Sequence, residues 1–359
     1  MRTLTEKELN RSLLARQLLL ERSKGSLPQA LERVGGIQAQ YAPSSYVGLW
    51  ARLEGFERPD LNRALEQRKA VQGTLMRVTI HLVSARDYPL FAAGTRASRA
   101  ESWLRYHRGK ITAAQVQKAA TKARRALEDG PLPRAELTSV IPDTALWNGV
   151  SAVDDIVRVP PSGTWERRRA DIYATADEWL EPSDATENEG VEHLLRRYLG
   201  GFGPARLADA ANWAGVPPKL LKPVAERLEL RRFADEEGKE LLDLPRAPLP
   251  PADTSAPARF LPTWDATLLA HARGTQILPE QFRNLVFSTK TPHSLSTFLV
   301  DGRVAGAWRV ERSRRKAELA IEPFEGVPRK AVDELKAEGE RLVRFHEPDA
   351  ETFAVRLAG

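Results

Sequence analysis

The chain has 359 residues, no cysteine, 42% apolar and 28% charged residues and a net charge of +6. That mixture is globular rather than disordered, and the length corresponds to roughly two to four domains. Without cysteine there is no disulfide, thiolate metal site, iron–sulfur cluster or cysteine nucleophile. No apolar run reaches the roughly 18 residues of a membrane span. The start, MRTLTEKELNRSLLARQ, lacks the apolar core of a secretion signal, so a soluble cytoplasmic protein is expected.

Thr5 with Glu8 three residues on is a capping-box signature, and Leu9, Leu13, Leu14 and Leu18 give the first helix its apolar face. A second helix is predicted from Leu27 to Val34, stopping at Gly35-Gly36. A third follows Pro43-Ser44-Ser45 and carries Tyr46, Leu49, Trp50 and Leu53. The segment TLMRVTIHLVS, Thr74–Ser84, is β-branched and apolar and reads as a strand or hairpin arm. Short helices followed by a strand pair are the outline of a winged helix.

That outline recurs. Thr112–Glu128 reads as a helix, then Asp129-Gly130-Pro131 as a turn and Arg134–Val140 as a second helix. Val191–Leu199, the turn Gly201-Phe202-Gly203-Pro204 and Arg206–Ala214 repeat the pattern. Leu220–Leu228 supplies a third helix there, and Leu230–Phe233 with Glu240–Leu244 a wing hairpin. Residues 245–257, PRAPLPPADTSAP, read as a linker and the clearest boundary in the chain. Beyond it, LSTFLV-DG-RVAGAWRV is a two-residue hairpin signal, Lys316–Ile321 a further strand and Lys330–Phe345 a final helix.

Charge is uneven along the chain. Arginine outnumbers lysine 41 to 13, and residues 86–125 hold ten basic and two acidic side chains. A second stretch, Arg303–Lys316, has six basic residues and one acidic. Such clustering suits a polyanion partner, although an arginine-rich composition alone also produces it. The phosphate-loop, nucleophile-elbow and zincin signatures are missing, and the six histidines show no metal-like spacing. One segment is unusual: Gly35-Gly36-Ile37-Gln38-Ala39-Gln40-Tyr41-Ala42-Pro43. If it is extended, alternation turns both amides to one side. In a helix they would diverge by about 200°, leaving a polar pair at a helix end.

LLARQLLLERS (13–23), GGIQAQYAPSSYVGLWARL (35–53) and LMRVTIHLVSARDYP (75–89) together resemble the AlkZ/YcaQ-type winged-helix DNA glycosylases. RYLGGFGPARLADAANWAG (197–215) and FLVDGRVAGAWR (298–309) continue the resemblance over essentially the whole chain. It implies an α+β fold of tandem winged helices in a C-shaped arrangement, with a small C-terminal β-barrel or sheet. The expected units are 1–111, 112–186, 187–250 and 251–359. It further implies that Gln38 and Gln40 carry catalysis, and Gln at the second position places the chain on the AlkZ-like branch. One departure is Ala272-Arg273, where the family pattern has an Asp-Arg pair.

The implied reaction suits glutamines. An N7- or N3-alkylated purine nucleoside carries its own positive charge, so the base leaves without a strong general acid. What remains is to place water at C1′, and amides offer both an acceptor and donors. The expectation is a monofunctional glycosylase of base excision repair, without metal or cofactor, acting as a monomer on duplex DNA with alkylated or crosslinked purines. Arg16, Arg77, Thr79, His81 and Arg303 are candidate DNA contacts. His81 has a satisfied core histidine as its alternative, and Arg16 with Gln17 an interhelical role. Trp165 and Trp308 read as packing residues and Asp265 as a buried salt-bridge partner. The rival class is a non-enzymatic winged-helix regulator, but Arg134–Val140 and Arg206–Ala214 each carry one arginine, poor equipment for base readout.

Overall fold

The computed structural model describes residues 1–271, 274–287 and 294–358. Strand β1 (Arg2–Thr3) leads into helix α1 (Glu6–Arg16), whose capping box forms as read: Glu8 N donates to Thr5 Oγ1, and Thr5 N to Glu8. Helix α2 (Leu27–Val34) ends at Gly35, and Gly35 and Gly36 take left-handed φ values of 77° and 82°. A Cβ on Gly36 would lie 2.8 Å from Val83 Cγ1, so glycine alone lets the chain pass this close to its neighbour. Strand β2 (Ile37–Gln38) follows, then α3 (Ala42–Arg52). That helix begins before Pro43 rather than after Ser45, because proline suits a first turn that needs no amide hydrogen.

Helix α4 (Arg58–Glu66) precedes β3 (Ala70–Thr74) and β4 (Ile80–Ser84). The segment read as one strand or arm thus contains a turn, Met76–Val78, with Arg77 and Val78 at φ 54° and 57°. Helix α5 (Tyr88–Tyr106) leads to α6 (Ala113–Leu127), β5 (Leu132–Pro133), α7 (Arg134–Val140) and α8 (Thr144–Val153). The hairpin β6 (Ile156–Arg158) and β7 (Ile172–Thr175) closes that unit before the short α9 (Ala176–Trp179). The order then repeats in α10 (Glu187–Phe202), α11 (Leu207–Ala214), α12 (Pro218–Arg227), β8 (Arg231–Ala234) and β9 (Glu240–Asp243). Helix α10 runs on through Phe202, so the predicted four-residue turn shrinks to Gly203-Pro204. A Cβ on Gly201 would sit 3.1 Å from Val34 O, so that glycine serves the approach of α2 rather than a turn.

The last elements are β10 (Arg259–Leu261), α13 (Arg283–Val286), β11 (Thr297–Val300), β12 (Arg303–Ser313), β13 (Lys316–Pro323), α14 (Arg329–His346) and β14 (Thr352–Leu357). They make an open five-stranded sheet, β10-β11-β12-β13-β14, and not a closed barrel. Strand β14, absent from the sequence reading, returns parallel to β13 after the α14 crossover. The fold is α+β, as expected. A six-stranded sheet, β2-β4-β3-β6-β7-β5, joins residues 37–84 to residues 132–175, and β1-β8-β9 ties the N-terminus to the later wing. The Ala272-Arg273 departure lies outside the described residues.

The proline-rich stretch has no regular element, yet it is strapped to α1. Pro248 O accepts from Ser12 Oγ at 3.0 Å and from Arg16 Nε and Nη2 at 3.1 and 2.9 Å. Arg16 also donates to Leu199 O at 2.8 Å and to both carboxylate oxygens of Asp243, at 2.6 and 3.1 Å. Both partners of that ion pair are 0% exposed. Arg16 is therefore a structural residue and not a DNA contact, since no phosphate reaches a guanidinium without exposed surface. Removing Arg16 leaves the buried Asp243 carboxylate with Arg231 alone as its cation. Arg16→Met should accordingly lower unfolding free energy by about 3–5 kcal/mol in urea titration, and a loss below about 1 kcal/mol would contradict the strap.

Candidate active site

The site grows from β2. It pairs antiparallel with β4, Ile37 opposite Leu82 and Gln38 opposite His81, and Ala39 N extends the ladder to Ile80 O at 2.7 Å. The Gln-x-Gln segment is therefore extended, and its two amides converge: Gln38 Nε2 donates to Gln40 Oε1 at 2.6 Å. Gln38 is 7% exposed, whereas Gln40 and Tyr41 reach the surface.

The β3–β4 turn completes the network. Arg77 Nη2 donates to Gln38 Oε1 at 3.1 Å, and Arg77 Nη1 donates to Trp213 O at the end of α11. Burial pulls the Arg77 guanidinium down to about 10, which leaves it charged at neutral pH. His81 accepts the alternative role foreseen for it. It is buried, its Nδ1 lies 3.0 Å from Thr79 O, and desolvation with the nearby Arg77 charge pushes it down to about 3. A neutral His81 donates no proton to a leaving group near pH 7. Thr79 Oγ1 donates to Met76 O at 2.9 Å and so caps the turn instead of facing outward alone. Arg303 is not brought to this place. Glu6 holds it at 3.0 Å, beside a separate cavity with Asn10 and Asp301.

Gln40 and Arg77 line a cavity of about 500 Å³ that also collects Trp103 and Tyr106 from α5, His107 directly after it, Trp147 from α8, Arg158 from β6 and Tyr173 from β7. His107 stacks on Trp103 with ring centroids 3.9 Å apart, and Trp147 meets Tyr173 edge-on at 4.9 Å. Tyr106 is 86% exposed. Aromatic faces next to an amide pair can stack a planar base while the amides bond its sugar or a water. The sequence reading missed these aromatics, because nothing local marks residues brought together from 103 and 173. Among the described residues no group of His, Asp and Glu is arranged to hold a metal ion.

The structure also redistributes the charge. Within residues 86–125, Arg86 pairs with Glu32, Arg96 and Arg99 with Asp155, Arg105 with Glu101, and Arg124 with Asp154 and Asp177. Arg108, Lys110, Lys118, Lys122 and Arg125 are exposed and without an ion-pair partner among the described residues. The second basic stretch is mostly neutralised, Arg309 by Glu311, Arg312 by Glu347, Arg315 by Glu351 and Lys316 by Glu318. A third cluster went unread although its signal was plain: Arg167, Arg168 and Arg169 are consecutive and exposed in the β6–β7 loop. Arg168 Nη1 donates to the hydroxyl of Tyr41, the residue after Gln40, at 3.2 Å.

Other candidates are structural. Trp165 is buried under Arg58, and the Trp308 indole N–H donates to Leu261 O at 2.9 Å. Asp265 accepts two bonds from Arg52, both at 2.9 Å, and Gln17 bridges Val34 O and Gly201 O. The recognition-helix arginines needed by a regulator are engaged elsewhere, Arg134 with Thr138 and Arg206 with Asp235 and Glu237.

Comparison with curated proteins by sequence finds no match. Among solved structures, the Streptomyces sahachiroi DNA glycosylase AlkZ superposes with a TM-score of 0.82 at 19% identity, over 99% of this chain and 100% of that one. The likeness shows a shared fold. Residues 31–345 match the family described as DNA glycosylase AlkZ-like. With that match spanning most of its length, the chain belongs to the AlkZ-like DNA glycosylase family.

Proposed function

We propose that this DNA glycosylase hydrolyses the N-glycosidic bond of cationic N7- or N3-alkylated purines in duplex DNA, including N7-guanine interstrand crosslinks. Gln38 and Gln40 place the attacking water. The observation that carries the reading is the convergence of the two amides at 2.6 Å beside an aromatic-lined cavity. The electron pair of the breaking bond neutralises the departing base. Water adds to C1′ of the oxocarbenium-like sugar and releases its proton to solvent. A leaving group that is already cationic needs neither a charged acid nor a cofactor. The enzyme acts as a monomer, with Arg108, Lys110, Lys118, Lys122, Arg125 and Arg167–Arg169 facing phosphates.

If the pair works as a unit, Gln38→Ala and Gln40→Ala should each slow single-turnover release of N7-methylguanine by about 10- to 1,000-fold. The double variant should lose far less than the product of the two. Wild-type rates in both single variants would make the segment structural.

The cavity lining contains no lysine, so no Schiff base can form there. Borohydride should therefore leave enzyme and lesion DNA unlinked. A trapped adduct would point to a lyase mechanism.

Undamaged-duplex affinity should fall with salt by a log–log slope of about −0.9 per phosphate neutralised. Arg167→Ala and Arg169→Ala should each flatten the slope by about one. An unchanged slope would remove the β6–β7 loop from the DNA surface.

A further inference from the structure

Arg77 is a half-buried, largely desolvated cation that has no carboxylate partner among the described residues. Arg16 and Arg52, which are fully buried, have theirs in Asp243 and Asp265. A charge taken largely out of water without a counter-charge is costly. The backbone there is itself constrained, since Arg77 and Val78 both sit in the left-handed region without being glycine. The end of α11 closes over this turn: a Cβ on Gly215 would lie 2.7 Å from Arg77 N, and Trp213 O takes one guanidinium hydrogen.

The guanidinium decides which way the glutamines point. It can only donate, so the Gln38 atom 3.1 Å from Nη2 must be the carbonyl oxygen. The Gln38 nitrogen then faces Gln40, and because an amide nitrogen also only donates, it must meet the Gln40 oxygen. The polarity Arg77→Gln38→Gln40 follows from donor chemistry alone, whatever the usual ambiguity of amide orientation. A charged donor at the head of such a chain strengthens each following bond. The exposed end is the Gln40 amino group, with one lone pair left on each carbonyl oxygen for water.

We propose that Arg77 is a positioning residue that sets the orientation and polarity of the Gln38–Gln40 pair for base excision. The inference rests on the glutamine reading above and adds to it that the pair reaches its full rate only when oriented by this guanidinium. Arg77 acts through Gln38, to which its guanidinium donates.

The test is single-turnover excision of N7-methylguanine from a duplex, with duplex affinity and thermal unfolding measured alongside. The proteins are wild type, Arg77→Lys, Arg77→Met, Gln38→Ala and the Gln38→Ala/Arg77→Met double variant. Arg77→Met should slow excision by about 10- to 100-fold with affinity for undamaged duplex unchanged. In the Gln38→Ala background the same change should add less than about 2-fold, because the group it orients is gone. Arg77→Lys keeps a donor at this position, and its amine, desolvated with no carboxylate beside it, loses its proton far more readily than a guanidinium. Its rate should therefore approach wild type at low pH and fall as pH rises, a dependence wild type lacks. This variant also covers the case in which Arg77→Met does not fold. Equal losses from Arg77→Met with and without Gln38 would overturn the proposal while leaving the glutamine reading intact. So would a pH-independent Arg77→Lys enzyme. A wild-type rate in Gln38→Ala would end both.

Discussion

Two residues of backbone, Ile37 and Gln38, pair with Leu82 and His81, and the site exists because that short ladder forms. Pairing holds the Gln-x-Gln segment extended, and only an extended segment brings alternate side chains together. The ladder requires the chain to leave α2 and meet β4 within two residues. Gly35 and Gly36 make that possible through left-handed backbone and the absence of a Cβ against Val83. From the other side, α3 starts at Ala42 and keeps the segment from running on as a strand. A glutamine pair placed in this way spends little entropy on ordering, because neighbouring elements have already fixed its backbone.

Arginine usage in this chain is chiefly architectural. Arg16 joins α1 to the wing and the proline-rich strap, and Arg52 joins α3 to Asp265, just after the first strand of the C-terminal sheet. Arg99 reaches from α5 to Asp155 beside β6. Each links segments far apart in sequence through a planar group that satisfies several acceptors at once. Surface arginines are largely spent on glutamates and aspartates as well. What is left for a polyanion is a smaller set than the composition implies, and it includes the exposed cations of α5–α6 and the β6–β7 loop.

The cavity is lined by the Gln40 amide, by aromatic rings and by two arginines, Arg77 and Arg158. Gln38 and the neutral His81 are buried, and the Arg77 guanidinium is held against Gln38. Aromatic rings line the same cavity and give it shape without adding charge.

Much of the fold could be read directly from the chain because its signals are local. The Thr5–Glu8 box, the Gly35-Gly36 stop, the Arg134–Val140 helix and the Asp301-Gly302 hairpin each follow from caps, left-handed glycines and alternation within a few residues. The same was true of the unusual Gln-x-Gln segment, and its family resemblance named both glutamines. Sequence left open whether that segment was strand or helix, since two residues have no period of their own. Only pairing with β4, 43 residues on, decided it. Strand β14 was invisible because a parallel return depends on the α14 crossover and not on local pattern. Arg16 and Arg77 looked alike as charged residues on apolar elements, and tertiary contacts alone separated them. One met a buried carboxylate and became scaffold; the other met an amide and the end of α11 and faces the site, because a charge takes its role from the partner the fold places beside it.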